Sequence, residues 1–175
     1  MNDVLKALAN RRSVRQFSDL PLSKETIRTI LESGMRGPSC VNSKDWYFIV
    51  VTDKEMLNKM ADINGRPAEP LRSAQAGILI CGDLQRAFPK APEYWVIDGA
   101  IATQNMILAA YSLGVGSVWL GTWPQGDRVA GQQKLFNLPE YVVPHSVLAL
   151  GYPEGELNKS EPAPYDPERV HFEKW

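Results

Sequence analysis

The chain has 175 residues, enough for one domain, spanning 1–175, that buries most of its apolar surface without disulfide staples. Nineteen Lys and Arg against twenty Asp and Glu give a formal charge of −1, which argues against a broad polyanion-binding face and so against nucleic acid as a partner. Cys40 and Cys81 form no C-x-x-C or zinc-type spacing, and no apolar run approaches a membrane span or a secretory leader, so a cytoplasmic, metal-free protein is expected.

A short helix is predicted behind Asn2 or Asp3, with Val4, Leu5 and Leu8 at helical spacing. Ser23 caps a second helix, with Glu25 in its first turn, Ile27, Ile30, Leu31 and Met35 as an apolar stripe, and Gly34 or Gly37 as its stop. Residues 46–52 are rich in aromatic and β-branched side chains and read as a buried strand. Asp53 caps a third helix whose Met56, Leu57 and Met60 point inward, and residues 64–70 read as a loop.

Residues 77–81 make a second buried strand, with Cys81 as a small core residue. The longest helical pattern covers 94–113 and is apolar around more than one face, which suits either the centre of a domain or the seam of a dimer; Gly114 or Gly116 stops it. A third strand at 117–120, a weaker helix at 128–136 and a fourth strand at 146–151 follow. Beyond Tyr152 four prolines impose an extended tail, yet Val170, His171, Phe172 and Trp175 at its end predict that it docks, on its own domain or on a partner.

Arg11, Arg12, Ser13 and Arg15 put three guanidinium forks and a hydroxyl within five residues, an arrangement suited to phosphate oxygens. In an extended segment Arg11, Ser13 and Arg15 share one face while Arg12 and Val14 take the other. Taken alone, the run also reads as a solvated basic stretch after a helix. His145 and His171 lack suitably spaced partners and read as structural; no side-chain nucleophile, metal set or G-x-G-x-x-G after a strand is evident. Tyr94, Trp95, Trp119 and Trp123 are candidates for an aromatic channel or for plain core packing.

The segments Arg11-Arg12-Ser13-Val14-Arg15, Pro38-Ser39-Cys40-Val41-Asn42, Asp98-Gly99-Ala100-Ile101-Ala102-Thr103-Gln104-Asn105, Gly114-Val115-Gly116-Ser117-Val118-Trp119-Leu120-Gly121 and Val170-His171-Phe172-Glu173-Lys174-Trp175 together resemble the FMN-dependent nitroreductase family in its compact form. The resemblance implies an α+β fold, a central mixed sheet flanked by helices. It also implies a homodimer joined through the long helix, with residues 152–175 crossing onto the partner subunit as a domain-swapped segment.

By position, Arg11, Arg12, Ser13 and Arg15 match the motif that binds the FMN phosphate, ribityl chain and pyrimidine edge. Pro38, Ser39, Cys40 and Asn42 match the segment that packs on the flavin from the second subunit. Trp119, Leu120 and Gly121 match the strand end on the flavin's other face, with the Gly121 N–H toward N5, and Asn64 and Arg66 match the loop bordering the substrate channel. The implied activity is ping-pong hydride transfer from NAD(P)H, a transient co-substrate, through flavin N5 to nitroaromatic, quinone or similar small-molecule oxidants, with no catalytic side chain required. A flavin-storage protein without turnover, or a dehalogenating or flavin-fragmenting enzyme of the same fold, are the alternatives.

Two positions depart from the family pattern. Lys44-Asp45 replaces the usual Gln-Pro before Trp46, and Glu161-Pro162-Ala163-Pro164-Tyr165 stands where relatives carry a basic pair, leaving Lys159 or Arg169 to complete the phosphate clamp.

Overall fold

The computed structural model describes residues 2–155 and 164–175. Three helices start at the caps their sequences announce. The Asn2, Ser23 and Asp53 side chains accept the N–H groups of Leu5, Thr26 and Met56 and open α1 (Asp3–Asn10), α2 (Lys24–Met35) and α3 (Lys54–Asn64). Gly34 lies inside α2 instead of stopping it; a Cβ there would come within 2.8 Å of Met106, so the missing side chain lets α2 press against the long helix α4 (Tyr94–Ser112). Gly114, at φ +71°, does terminate α4 in the left-handed conformation glycine adopts without strain.

The strands β1 (Trp46–Val51), β2 (Ala76–Asp83), β3 (Gly116–Gly121) and β4 (Val142–Gly151) form one sheet in the order β1-β2-β4-β3, antiparallel throughout. Among the described residues the parallel component is a single isolated bridge, Ser13 to Ser117, at its edge. The central strands β2 and β4 are buried along their whole length, and alternate residues feed two cores. Ile78, Ile80, Leu148 and Leu150 pack with Ile27, Ile30 and Met106 on the α2–α4 side, whereas Leu79, Cys81, Val147 and Ala149 pack with Leu57, Met60 and Leu71 on the other.

Two sequence expectations change. The fourth strand begins at Val142, not 146, and accommodates Pro144, which has no N–H to offer, through a bulge where the pairing slips between Ile80 and Cys81. Residues 66–72 are no loop: Arg66–Arg72 is a 3₁₀ helix, burying Ala68, Pro70 and Leu71 against the core. Helix α5 (Gly126–Leu135) closes that side.

Within one chain, several apolar side chains lack cover. Val4, Leu5 and Leu8 of α1 are exposed, as are Ile97 and Tyr111 of α4. Every residue from 164 to 175 is exposed too, so this part of the tail does not dock on its own domain; Phe172 is 83% exposed and Trp175 fully so, with the His171 and Trp175 rings 4.4 Å apart. Lys159 and Glu161 lie outside the described residues. Among the described residues no helix is long and apolar enough to cross a membrane.

Candidate functional site

The arginine run is an edge segment laid along the sheet. The Val14 N–H donates to the Ser117 carbonyl at 2.9 Å, Ser18 N–H to Tyr152, and Glu154 N–H to Gln16, so the segment runs beside β3 and the exit of β4. Val14 and Phe17 are driven inward: Val14 fills the space a Cβ on Gly116 would need, at 2.8 Å, and Phe17 does the same at Gly151. Alternation then sends Ser13 and Arg15 to solvent, with Arg11 half-buried. Arg12 parts company with them. Its Nη1 donates to the Ala9 and Arg11 carbonyls at 2.9 and 2.8 Å, which satisfies the last turn of α1.

Arg15 and Arg66 line one cleft of about 850 Å³ together with Gln16, Glu69, Arg72 and Ser73. Arg72 is occupied by Asp62 and Glu69, at 2.7 and 3.0 Å. Arg15 and Arg66 have no ion-pair partner among the described residues, so two guanidinium groups face this cleft with their charge uncompensated. That is an environment for an anion or an electron-rich ring edge.

Asn64 is not on the surface beside Arg66. It is buried, its Nδ2 donating to the Thr122 hydroxyl at 3.0 Å and the Gly121 carbonyl at 3.3 Å, while its Oδ1 accepts from Gln132 Nε2 at 2.9 Å. Arg128 Nη1 holds the same Gly121 carbonyl at 2.9 Å. Asn64 therefore fixes the peptide leaving β3 and has no free polar atom to give a ligand. Asn64→Ala strips three hydrogen bonds from a buried network, an expected cost of about 2–4 kcal/mol, read as a melting-temperature drop of about 5–10 °C in thermal unfolding.

Gly121 itself is exposed, and a Cβ there would meet nothing within 4 Å; the strand end opens onto free space. Leu120 points into the core, while Trp119 and Trp123 are partly exposed on either side of the glycine. Trp95 is buried with its ring edge-on to Trp123 at 5.2 Å and to His145 at 5.9 Å, and Trp119 meets His145 at 5.5 Å. His145 is a core residue: burial pushes its pKa down to about 4, and its Nδ1 lies 3.0 Å from the Ser146 hydroxyl.

The second motif sits elsewhere. Ser39 and Cys40 are half-buried and Pro38 and Asn42 exposed, in a 3₁₀ turn at Cys40–Asn42 moored to α4, where the Cys40 N–H donates to both oxygens of Asp98 at 3.0 Å. Burial and the neighbouring carboxyls of Asp98 and Asp45 raise the Cys40 thiol pKa, so this cysteine is a poor thiolate. The arginine segment instead meets the far end of the same helix, where Arg11 and Arg12 line a small pocket with Tyr111 and Gly114. From Asp98 to Tyr111 is about 20 Å of helix at 1.5 Å per residue. One chain thus carries the two motifs at opposite ends of α4.

A model of the nitroreductase family matches residues 8–152. The chain belongs to the nitroreductase family. Within the nitroreductase family it resembles a protein of Methanothermobacter thermautotrophicus named "Putative NADH dehydrogenase/NAD(P)H nitroreductase", 44% identical over 173 residues that cover 99% of this chain and 88% of that one. It is 29% identical to the NAD(P)H FMN reductase of Bacillus subtilis over 183 residues, covering 95% and 72% of the two chains. Among solved structures, the FMN-dependent nitroreductase of Clostridium difficile R20291 matches with a TM-score of 0.87 at 25% identity, covering 98% of this chain and 99% of that one.

Contacts in the folded chain give roles to several residues to which the sequence assigned none. Asp98 had a visible signal, an acidic side chain on an otherwise apolar helix. Thr122, Gln132 and Arg128 had none, because their role follows from contacts with Asn64 and Gly121 that local sequence does not encode.

Proposed function

We propose that this chain is an FMN-dependent oxidoreductase that takes electrons from NAD(P)H and passes them to nitroaromatic, quinone or related acceptors, working as a homodimer. The observation that carries this reading is the outward row of Ser13 and Arg15 on an edge segment that leads into the same cleft as Arg66, two residues after the Asn64 that holds the Gly121 carbonyl at the open strand end. The names of the relatives, an FMN reductase and an FMN-dependent nitroreductase among them, support the cofactor.

The residues present fit that cofactor. In this reading Arg11 and Ser13 take the phosphate, and Arg15 and Arg66 face the electron-rich pyrimidine edge, where positive charge stabilises the reduced ring. Gly121 offers a strand end without a protruding Cβ, and the partly exposed Trp119 ring lies two residues before it. When bound, FMN supplies hydride acceptance and electron delivery, donor and acceptor using one opening in turn. No protein nucleophile is called for.

The dimer is supported by the separation of the two motifs along α4, by the uncovered apolar side chains of α1 and α4, and by a tail whose Phe172 and Trp175 find no cover on their own chain. A second copy would bring its Pro38–Asn42 turn to the arginine end of the first. Anaerobic mixing with NADH and with NADPH tests the activity: a yellow protein that bleaches with either, and recolours on adding a quinone or nitroaromatic, is expected. A yellow protein that bleaches with neither would leave flavin storage as its role.

A further inference from the structure

The Cys40–Asn42 turn rests on two buried carboxyls. Asp98 is 2% exposed on α4 and receives the Cys40 N–H. Asp45 is fully buried where the chain enters β1, its main-chain carbonyl accepting the Asp83 N–H at 2.6 Å. The two carboxyls are neighbours and Asp83 faces Asp45 from the end of β2, while both Asp45 carboxyl oxygens are buried with no hydrogen-bond donor among the described residues to meet them and the Ser43 hydroxyl is buried without a partner there. Cys40 is the remaining titratable neighbour; Lys44 is exposed, and among the described residues no Lys, Arg or His acts on either carboxyl. His145, which closes on the neighbouring Gly99 from β4, is neutral.

Two ionised carboxylates buried together without a cation repel strongly, and one shared proton removes the conflict. The turn above them needs a firm hold. Val41, Asn42 and Lys44 sit at φ +46°, +58° and +49°, left-handed backbone that non-glycine residues keep only when their surroundings impose it. The hold consists of Cys40 N–H on Asp98 and Lys44 N–H on the Ser39 hydroxyl at 3.0 Å.

We propose that Asp45 and Asp98 keep a single proton between them, and that this acid–carboxylate pair is the latch seating the Cys40–Asn42 turn on α4, so that FMN affinity falls when the proton departs. The flavin part rests on the function proposed above; the shared proton does not. Burial and Asp98 push Asp45 up to about 6. Because the folded chain holds a proton that the unfolded chain has already lost, this contribution to stability is complete below about pH 4 and disappears as pH rises through about 6.

Asp45→Asn keeps a polar group and removes the charge. The expected melting temperature of the variant equals that of the wild type near about pH 4.5 and exceeds it by about 3–6 °C near about pH 7.5. A difference that stays constant over this range overturns the shared proton. Should the variant fail to fold, carbon NMR of the wild-type carboxyls reads the same group: one aspartate still titrating near about pH 6 is expected, and every aspartate titrated out below about pH 5 overturns it.

The latch is tested with FMN itself by fluorescence titration. The wild-type Kd should rise about fivefold between about pH 5.5 and 7.5 and stay level in D45N; an equal slope in both proteins overturns the latch. Failure of both proteins to bind FMN at any pH, with the melting difference intact, overturns the flavin reading and leaves the shared proton standing.

Discussion

A chain carrying Arg11→Ala together with Arg15→Ala is expected to purify colourless, with FMN affinity reduced by two to four orders of magnitude. Each substitution removes a charge-assisted contact worth about 1.5–3 kcal/mol, and the two together remove about 3–6 kcal/mol if they act independently. The fold should survive, because Arg15 is exposed and Arg11 contributes its backbone, not its side chain, to the end of α1. Arg12→Ala is the contrast: it unties the Ala9 and Arg11 carbonyls at the helix end. Fluorescence titration with FMN decides the matter, and undiminished flavin retention in the double variant would refute the phosphate assignment.

Deletion from Tyr165 onward is the second large effect. No residue of this segment is buried, so its loss should leave the melting of the isolated fold in place while releasing the proposed dimer. If Phe172 and Trp175 each bury their rings on the partner, each tail contributes about 3–6 kcal/mol of association. The dissociation constant should then rise by at least two orders of magnitude, visible as a monomer boundary in sedimentation velocity across a dilution series. A truncated chain that sediments as the full-length protein does would exclude tail exchange. The one basic side chain of this segment near the expected clamp, Arg169, is paired with Asp166 at 2.9 Å.

Much of this architecture is readable from local chemistry. The caps at Asn2, Ser23 and Asp53 do what their side chains suggest, and the apolar runs at β2 and β4 lie in the middle of the sheet as their composition requires. The failures have physical causes. Pro144 looks like a boundary because it cannot donate to a ladder, but a bulge spares it that duty. Pro67 and Pro70 look like loop residues, yet a short 3₁₀ helix tolerates both.

At the site, the alternation of Ser13, Val14 and Arg15 follows from period two, whereas the diversion of Arg12 to helix carbonyls does not. The burial of Asn64 depends on α5 and on the end of β3, both distant in sequence. Asp45 stood out as a departure from its family's pattern; that it meets Asp98, in another element, required the folded chain.

The edge segment that carries the arginines has a temporal consequence. Ser13 pairs with Ser117 and Phe17 with Pro153, so its register is dictated by residues more than one hundred positions downstream. The strip settles only once the stretches around Ser117 and Pro153 are in place, and closing so large a loop is slow. The arginine segment is therefore among the last parts of the fold to mature, and amide protection at Val14 and Ser18 should appear late in refolding.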